Sequence, residues 1–280
     1  MTSVLRPKNL EGIISATFKI YSMNFLKLLA IVAIVEVSLA AIYVALGAFL
    51  DFSFLQDLVI ERNIESLSAS MIPMGTVLLV VCIVSCVVGT LMNGALIYFA
   101  AKHYLQQKIS IGKAYDFAWR RLGVMIGAGI LAFLAISTII AICFLVAIFS
   151  WIGWALLAVG IPVAIYLAIH WVFIWQTALM EGIGPMSALA RSSALVKRNW
   201  WRVLGIMLVV SLITIAIVAA AIGVTAAISN TASLDSTLGI IPVIGATIGG
   251  ILATPIPVIA GTLLYYDLWV RKEDYTFQFL

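Results

Sequence analysis

Glu36, Asn93 and His170 stand where chemistry would be most expensive, because each interrupts a long apolar run. Polar and ionisable groups inside a membrane are rare and tend to face a partner, a cavity or a ligand. Counted from the nearest charged flank, Glu36 lies nine residues past Lys27, Asn93 nine before Lys102, and His170 eleven before Glu181. At about 1.5 Å per helical residue, all three sit roughly 13–16 Å from the same surface. Such a set reads in two ways. It is a polar cluster lining a cavity, where a carboxylate and an imidazole bind a headgroup or pass a proton. Or it is interhelical glue, with carboxylate, imidazole and amide satisfying one another for about 1 kcal/mol per bond. Matching depth does not choose between them.

Other chemistry finds no footing. With only His103 and His170 present, no zinc set and no HExxH helix can be built, and no metal or cofactor is expected. No GxSxG elbow and no phosphate-binding P-loop occurs. Gly245-x-x-x-Gly249-Gly250 lacks the strand context of a dinucleotide fingerprint and reads instead as a small-residue surface for close helix packing. Cys82, Cys86 and Cys143 lie in apolar runs and read as small buried hydrophobes. The chain is expected to have no catalytic residues.

The elements that must position these residues follow from composition. Of 280 residues, 64% are hydrophobic and 10% charged, with a mean hydropathy of +1.18. A water-soluble domain carries about 25% charged residues, so the solvent here is lipid. A bilayer core about 30 Å thick takes roughly 20 apolar residues as helix. Six stretches qualify, at about 28–50, 74–101, 123–149, 153–178, 203–228 and 240–268. Helix is required because hydrocarbon cannot satisfy open backbone groups. The first stretch is too long, and begins too late, for a cleaved signal peptide, so it reads as a retained span.

Of the 16 Lys and Arg, all but Arg62 fall on one side of these spans. The positive-inside rule assigns that side to the cytoplasm, with both termini there and the chain in an inner (plasma) membrane. The sequence pI of 9.0 is therefore a topology signal, with anionic lipid as its second reading and nucleic acid not expected as a partner. On the other side, Leu55, Leu58, Val59, Arg62 and Leu67 space as one helical face that either lies on the outer leaflet or forms a short solvated turn. Residues 229–238 read as a plain polar connector, and Trp151 and Trp154 mark the outer turn between spans three and four.

Before each odd span a related device appears. Leu10, Ile13, Ile14, Thr17, Phe18, Tyr21 and Phe25 make an apolar stripe, and Asn24-Phe25-Leu26-Lys27-Leu28-Leu29 enters span one. Asn199-Trp200-Trp201-Arg202-Val203-Leu204 enters span five in the same order of residue classes, and a looser copy runs from Ile111 through Arg120 and Arg121 into span three. The pattern predicts one all-α transmembrane domain over 1–280, built of units 1–101, 102–180 and 181–280. Each unit is an amphipathic cytoplasmic helix followed by a two-span hairpin. The bland alternative is that any such hairpin places Lys or Arg and an aromatic at its inner interface. Pro162, Pro255 and Pro257 should kink or break their spans. Asp267 should pair with Arg271 at i, i+4 or cap a neighbouring helix. Arg191, with Asn24, Phe25, Lys27 and the residues of the other two entries, completes the expected interfacial anchors.

Three segments resemble the membrane domain of bacterial glycerophosphoryl diester phosphodiesterases and its stand-alone relatives. They are Leu10-x-x-Ile13-x-x-x-x-Phe18-x-x-Tyr21-x-x-Asn24-Phe25; Gly184-Pro185-x-x-Ala188-Leu189-x-Arg191-Ser192 followed by Asn199-Trp200-Trp201-Arg202-x-Leu204-Gly205; and Leu263-Leu264-Tyr265-Tyr266-Asp267-Leu268-x-x-Arg271-Lys272-Glu273. The resemblance implies a membrane module without the soluble catalytic barrel, and it transfers no chemistry. Two functions remain open: a non-catalytic module that docks or organises partners at the cytoplasmic face, and a carrier of a lipid or small amphiphile.

Overall fold

A computed structural model describes residues 9–49, 64–149, 152–231 and 240–277. The face expected at Leu55–Arg62, Trp151, most of the polar connector, Arg6 and Lys8 lie outside the described residues. Among the described residues ten helices follow in order: α1 (Leu10–Met23), α2 (Phe25–Phe49), α3 (Ile64–Tyr104), α4 (Ile111–Phe149), α5 (Ile152–His170), α6 (Ile174–Met180), α7 (Pro185–Val196), α8 (Trp200–Thr231), α9 (Ile240–Ala253) and α10 (Pro255–Phe277). Among the described residues, six stretches are long and apolar enough to cross a membrane: Phe25–Ala45, Gly75–Tyr104, Ile111–Ile148, Trp154–Met180, Trp200–Ile228 and Val243–Lys272. The protein is an all-α, multi-pass membrane protein.

Asn24 and Asn199 open the helices that follow them in the same way, although Asn24 caps α1 directly and Lys197 caps α7. The Asn24 N–H closes α1 on the carbonyls of Ile20 and Tyr21 (3.2 and 3.3 Å), and its own carbonyl accepts from Leu28 N–H at 3.0 Å to open α2. Asn199 N–H bonds Val196 O at 2.8 Å, and Asn199 O accepts from Val203 N–H at 3.0 Å to open α8. The middle unit departs from this plan. Ile111–Arg121 forms the first turns of α4 itself, not a helix of its own. No capping residue interrupts it, and Ala114, Ala118 and Met125 continue one buried face across the expected boundary. That face meets α3 at Gly94, where a Cβ would stand 2.9 Å from Ala118 Cβ.

Proline acts differently in its two settings. Pro162 is carried within α5, whereas the sixth span breaks at Thr254, and Pro255 opens α10 at its first position. A prolyl nitrogen has no hydrogen to give, so the first helical position is where it costs least. Leu252 O, in the last turn before the break, accepts from Tyr21 OH of α1 at 2.9 Å. Burial also pushes the Tyr21 hydroxyl above the ordinary phenol range, which keeps it a donor.

The core is concentrated at one end, where Lys27, Lys102, Arg121, Arg191, Arg202 and Arg271 fall; we refer to it as the basic end. There α10 is central. Its Ile256, Ile259, Leu263 and Leu264 are buried against Ile31 and Val32 of α2, Leu96 and Phe99 of α3, and Ile206 of α8. The opposite halves of the helices present Leu145, Ile148, Val159, Val224 and Ile228 outward. In a multi-pass protein these faces meet lipid, and small residues bring the hairpin partners together. A Cβ on Gly160 would stand 2.7 Å from Cys143 Sγ, and one on Gly249 would stand 3.0 Å from Val218 Cα.

Candidate functional site

The three residues matched in depth have three different neighbours. The Glu36 carboxyl carbon lies 3.5 Å from where a Cβ would sit on Gly250 of α9. Asn93 Nδ2 donates to Gly89 O, one turn earlier on its own helix, at 2.9 Å. His170 Nδ1 lies 3.0 Å from Tyr166 O, with its ring 4.2 Å from the Tyr166 ring. Among the described residues no hydrogen bond or ion pair joins any two of them. Equal depth fixes only one coordinate. The direction each helix face points is set by packing, and here the three faces differ.

The bonded polar groups gather instead at the basic end, around two carboxylates. Glu181 ends α6. Gly182 follows with φ of 68°, the left-handed region that glycine enters without strain. A Cβ there would run into the Arg121 guanidinium, which packs on this turn from α4. Gly184 and Pro185 then start α7, and the Pro185 ring rests on Gly127 of α4. Two turns along α7, Arg191 Nε donates to both Glu181 oxygens at 3.0 Å. Tyr265 of α10 donates its hydroxyl to Glu181 Oε1 at 2.8 Å. Ser192 fastens this hairpin to the end of α5, since its hydroxyl donates to His170 O at 2.8 Å and accepts the Phe173 N–H at 3.2 Å.

Asp267 is the second centre. It is 4% exposed, and its Oδ2 accepts from Arg271 Nε at 3.0 Å and from Arg202 Nη2 of α8 at 2.8 Å. The i, i+4 pair is the one the spacing suggested. Arg202 adds a second helix to it. A buried carboxylate held by two guanidiniums is costly to leave unpaired, so the arrangement fixes α8 against α10. Each carboxylate accepts from a donor on another helix.

The remaining anchors divide by exposure. Asn24 turns its side chain back on α1, Nδ2 donating to Ile20 O at 3.1 Å, and Phe25 meets Tyr21 edge to face at 5.4 Å. Lys27 is exposed. Arg120 pairs with Asp116, and its side chain is 72% exposed. Trp200 stacks near Tyr166 and meets Trp201 edge to face at 4.7 Å. Trp201 itself is 79% exposed. Sequence reading passed over Glu181 and Tyr265 as site residues. It also passed over Tyr115, whose hydroxyl donates to Ile31 O at 2.7 Å. The one signal for Glu181 was a lone carboxylate in a basic connection.

No group of His, Cys, Asp and Glu among the described residues could hold a metal ion. Fold and site together define the class: a multi-pass helical bundle whose polar contacts are concentrated at one end. Comparison with family models, with curated proteins and with solved structures gave no match.

Proposed function

We propose that this protein is a non-catalytic integral membrane module that docks or organises partners at the cytoplasmic face of an inner membrane, with the basic end in the cytoplasm. The observation that carries this reading is the pair of carboxylate centres. They tie α6, α7, α8 and α10 into one fixed platform, while leaving Arg120, Met186 and Trp201 pointing outward. A preformed surface loses little side-chain freedom when a partner binds. The stand-alone relationship to the glycerophosphoryl diester phosphodiesterase membrane domain is part of the same proposal, as is descent of the first and third units from one ancestral unit. The matching helix openings at Asn24 and Asn199 favour that descent.

A carrier is the second reading, and one feature favours it. An apolar groove of about 560 Å3 runs between α2 and α9, lined by Val37, Ala41, Val44, Ile244 and Ile248. Glu36, beside Gly250, does not line it but precedes its lining residue Val37 in the chain. Purification in native-like lipid, with mass spectrometry of what remains bound, separates the two. The docking reading expects a stoichiometric protein partner and no retained small amphiphile. A stoichiometric amphiphile that is lost on Glu36→Gln would replace it with the carrier.

A further inference from the structure

A helix lying between protein and water needs two faces, one apolar and one polar. α1 has three. Ile13 and Thr17 are buried, and Ile20 and Tyr21 pack against the same core. The polar groups of this face are bonded: the Thr17 hydroxyl donates to Ile13 O at 2.8 Å, and Tyr21 OH to Leu252 O at 2.9 Å. Leu10, Ile14 and Phe18, each one turn from the next, form a second face. It is apolar and uncovered, with Leu10 45% and Phe18 39% exposed. Glu11, Ser15, Lys19 and Ser22 form the third face, and all four are exposed. At 3.6 residues per turn the two exposed faces are centred roughly 90° apart.

The chain itself indicates what covers the second face. Tyr21 shares its side of α1 and meets Phe25 edge to face at 5.4 Å. Phe25 is the first residue of the membrane-crossing stretch Phe25–Ala45, and Leu26 after it is also exposed. The apolar face is therefore continuous with the lipid-facing surface of a span. Asn24, at φ of −123° and ψ of 22°, ends α1 before that span begins, so α1 is not its extension. Core, apolar and polar surroundings adjoin in one place only, beside the bundle at the membrane surface. A helix with this pattern lies in the plane of the interface. We propose that Leu10, Ile14 and Phe18 dock on the acyl layer of the leaflet at the basic end, which makes α1 an in-plane anchor between bundle and lipid. Through Tyr21 the anchor reaches the last turn before the break in the sixth span. The proposal does not depend on the docking function.

The test uses the full chain with Cys82, Cys86 and Cys143 replaced by Ala, reconstituted alone in phosphatidylcholine vesicles. A spin label is placed at single positions, and its collisions with oxygen, which concentrates in the acyl layer, are read against those with a water-soluble nickel chelate. Labels at Leu10→Cys and Phe18→Cys are expected about 5–10 Å below the headgroup surface. Labels at Glu11→Cys, Ser15→Cys and Ser22→Cys are expected in water. Ile34→Cys, exposed within α2, sets the reading of a lipid-facing residue. Because no other protein is present, equal nickel contact at Phe18 and Ser15 would leave the apolar face in water and overturn the proposal in favour of a missing protein partner. Low contact with both probes at Leu10 and Phe18 would mean that protein covers the face, and would overturn it too. Spin–spin broadening that disappears on dilution with unlabelled chain would then assign a second copy, and its absence the chain's own residues 1–8. If the cysteine-free chain does not fold, the label is carried on a ketone-bearing noncanonical residue at the same positions of the native chain, with the same outcomes.

Discussion

Asp267 illustrates how a single residue can carry an interhelical contact. Its carboxylate is buried, and both partners are guanidiniums from different turns or helices. Replacing it with Asn would keep the size and remove the charge, leaving Arg202 and Arg271 facing one another. The expected loss is about 3 kcal/mol, read as a lower melting temperature in detergent; a change under about 1 kcal/mol would show that solvent screens the pair. Half of this contact was legible beforehand, because i, i+4 spacing places Asp267 and Arg271 on one helix face. Arg202 was not, since its distance along the chain says nothing about which helices pack together. Glu36, Asn93 and His170 each have a different neighbour for the same reason. Helical rise gives a depth, and packing alone gives the direction.

Among the elements, boundaries were readable wherever a residue type enforces one. Asn24 ends α1, Asn199 stands immediately before α8, and Pro255 opens the last helix where the span breaks. The break between α5 and α6 was hidden because Trp171–Phe173 contains no helix breaker. That turn is held from a distance by Ser192 on His170 O and Phe173 N–H. Helix pairing has its own signature in α8 and α9. A Cβ on Gly249 would press on Val218 Cα and Ala221 Cβ, whereas one on Gly223 would meet nothing within 4 Å. Gly249→Ala is therefore expected to destabilise by about 1–3 kcal/mol through overpacking. Gly223→Ala should be neutral or stabilise by about 0.5–1 kcal/mol, as alanine does within a helix. Thermal unfolding of the two variants side by side checks the contrast; equal effects would mean that α8 and α9 can separate freely.

For the whole molecule, the class was legible from composition and period alone, since no soluble surface could be made from so few charges. The asymmetry of the bundle was not. Among the described residues the packed core and the ion pairs lie at the basic end, and the other halves of the helices turn apolar side chains outward. Sequence hydropathy cannot separate a lipid-facing leucine from a buried one, because lipid and core are equally apolar. The docking account makes this asymmetry functional. Its most direct test is a photo-crosslinking scan in native cells, with a reactive residue placed in turn at Met186, Trp201 and Arg120, and at Leu145 and Val224 as lipid-facing controls. The account expects a discrete protein adduct from the first three positions and none from the controls. Adducts absent from the basic end, with the chain folded and inserted, would contradict it.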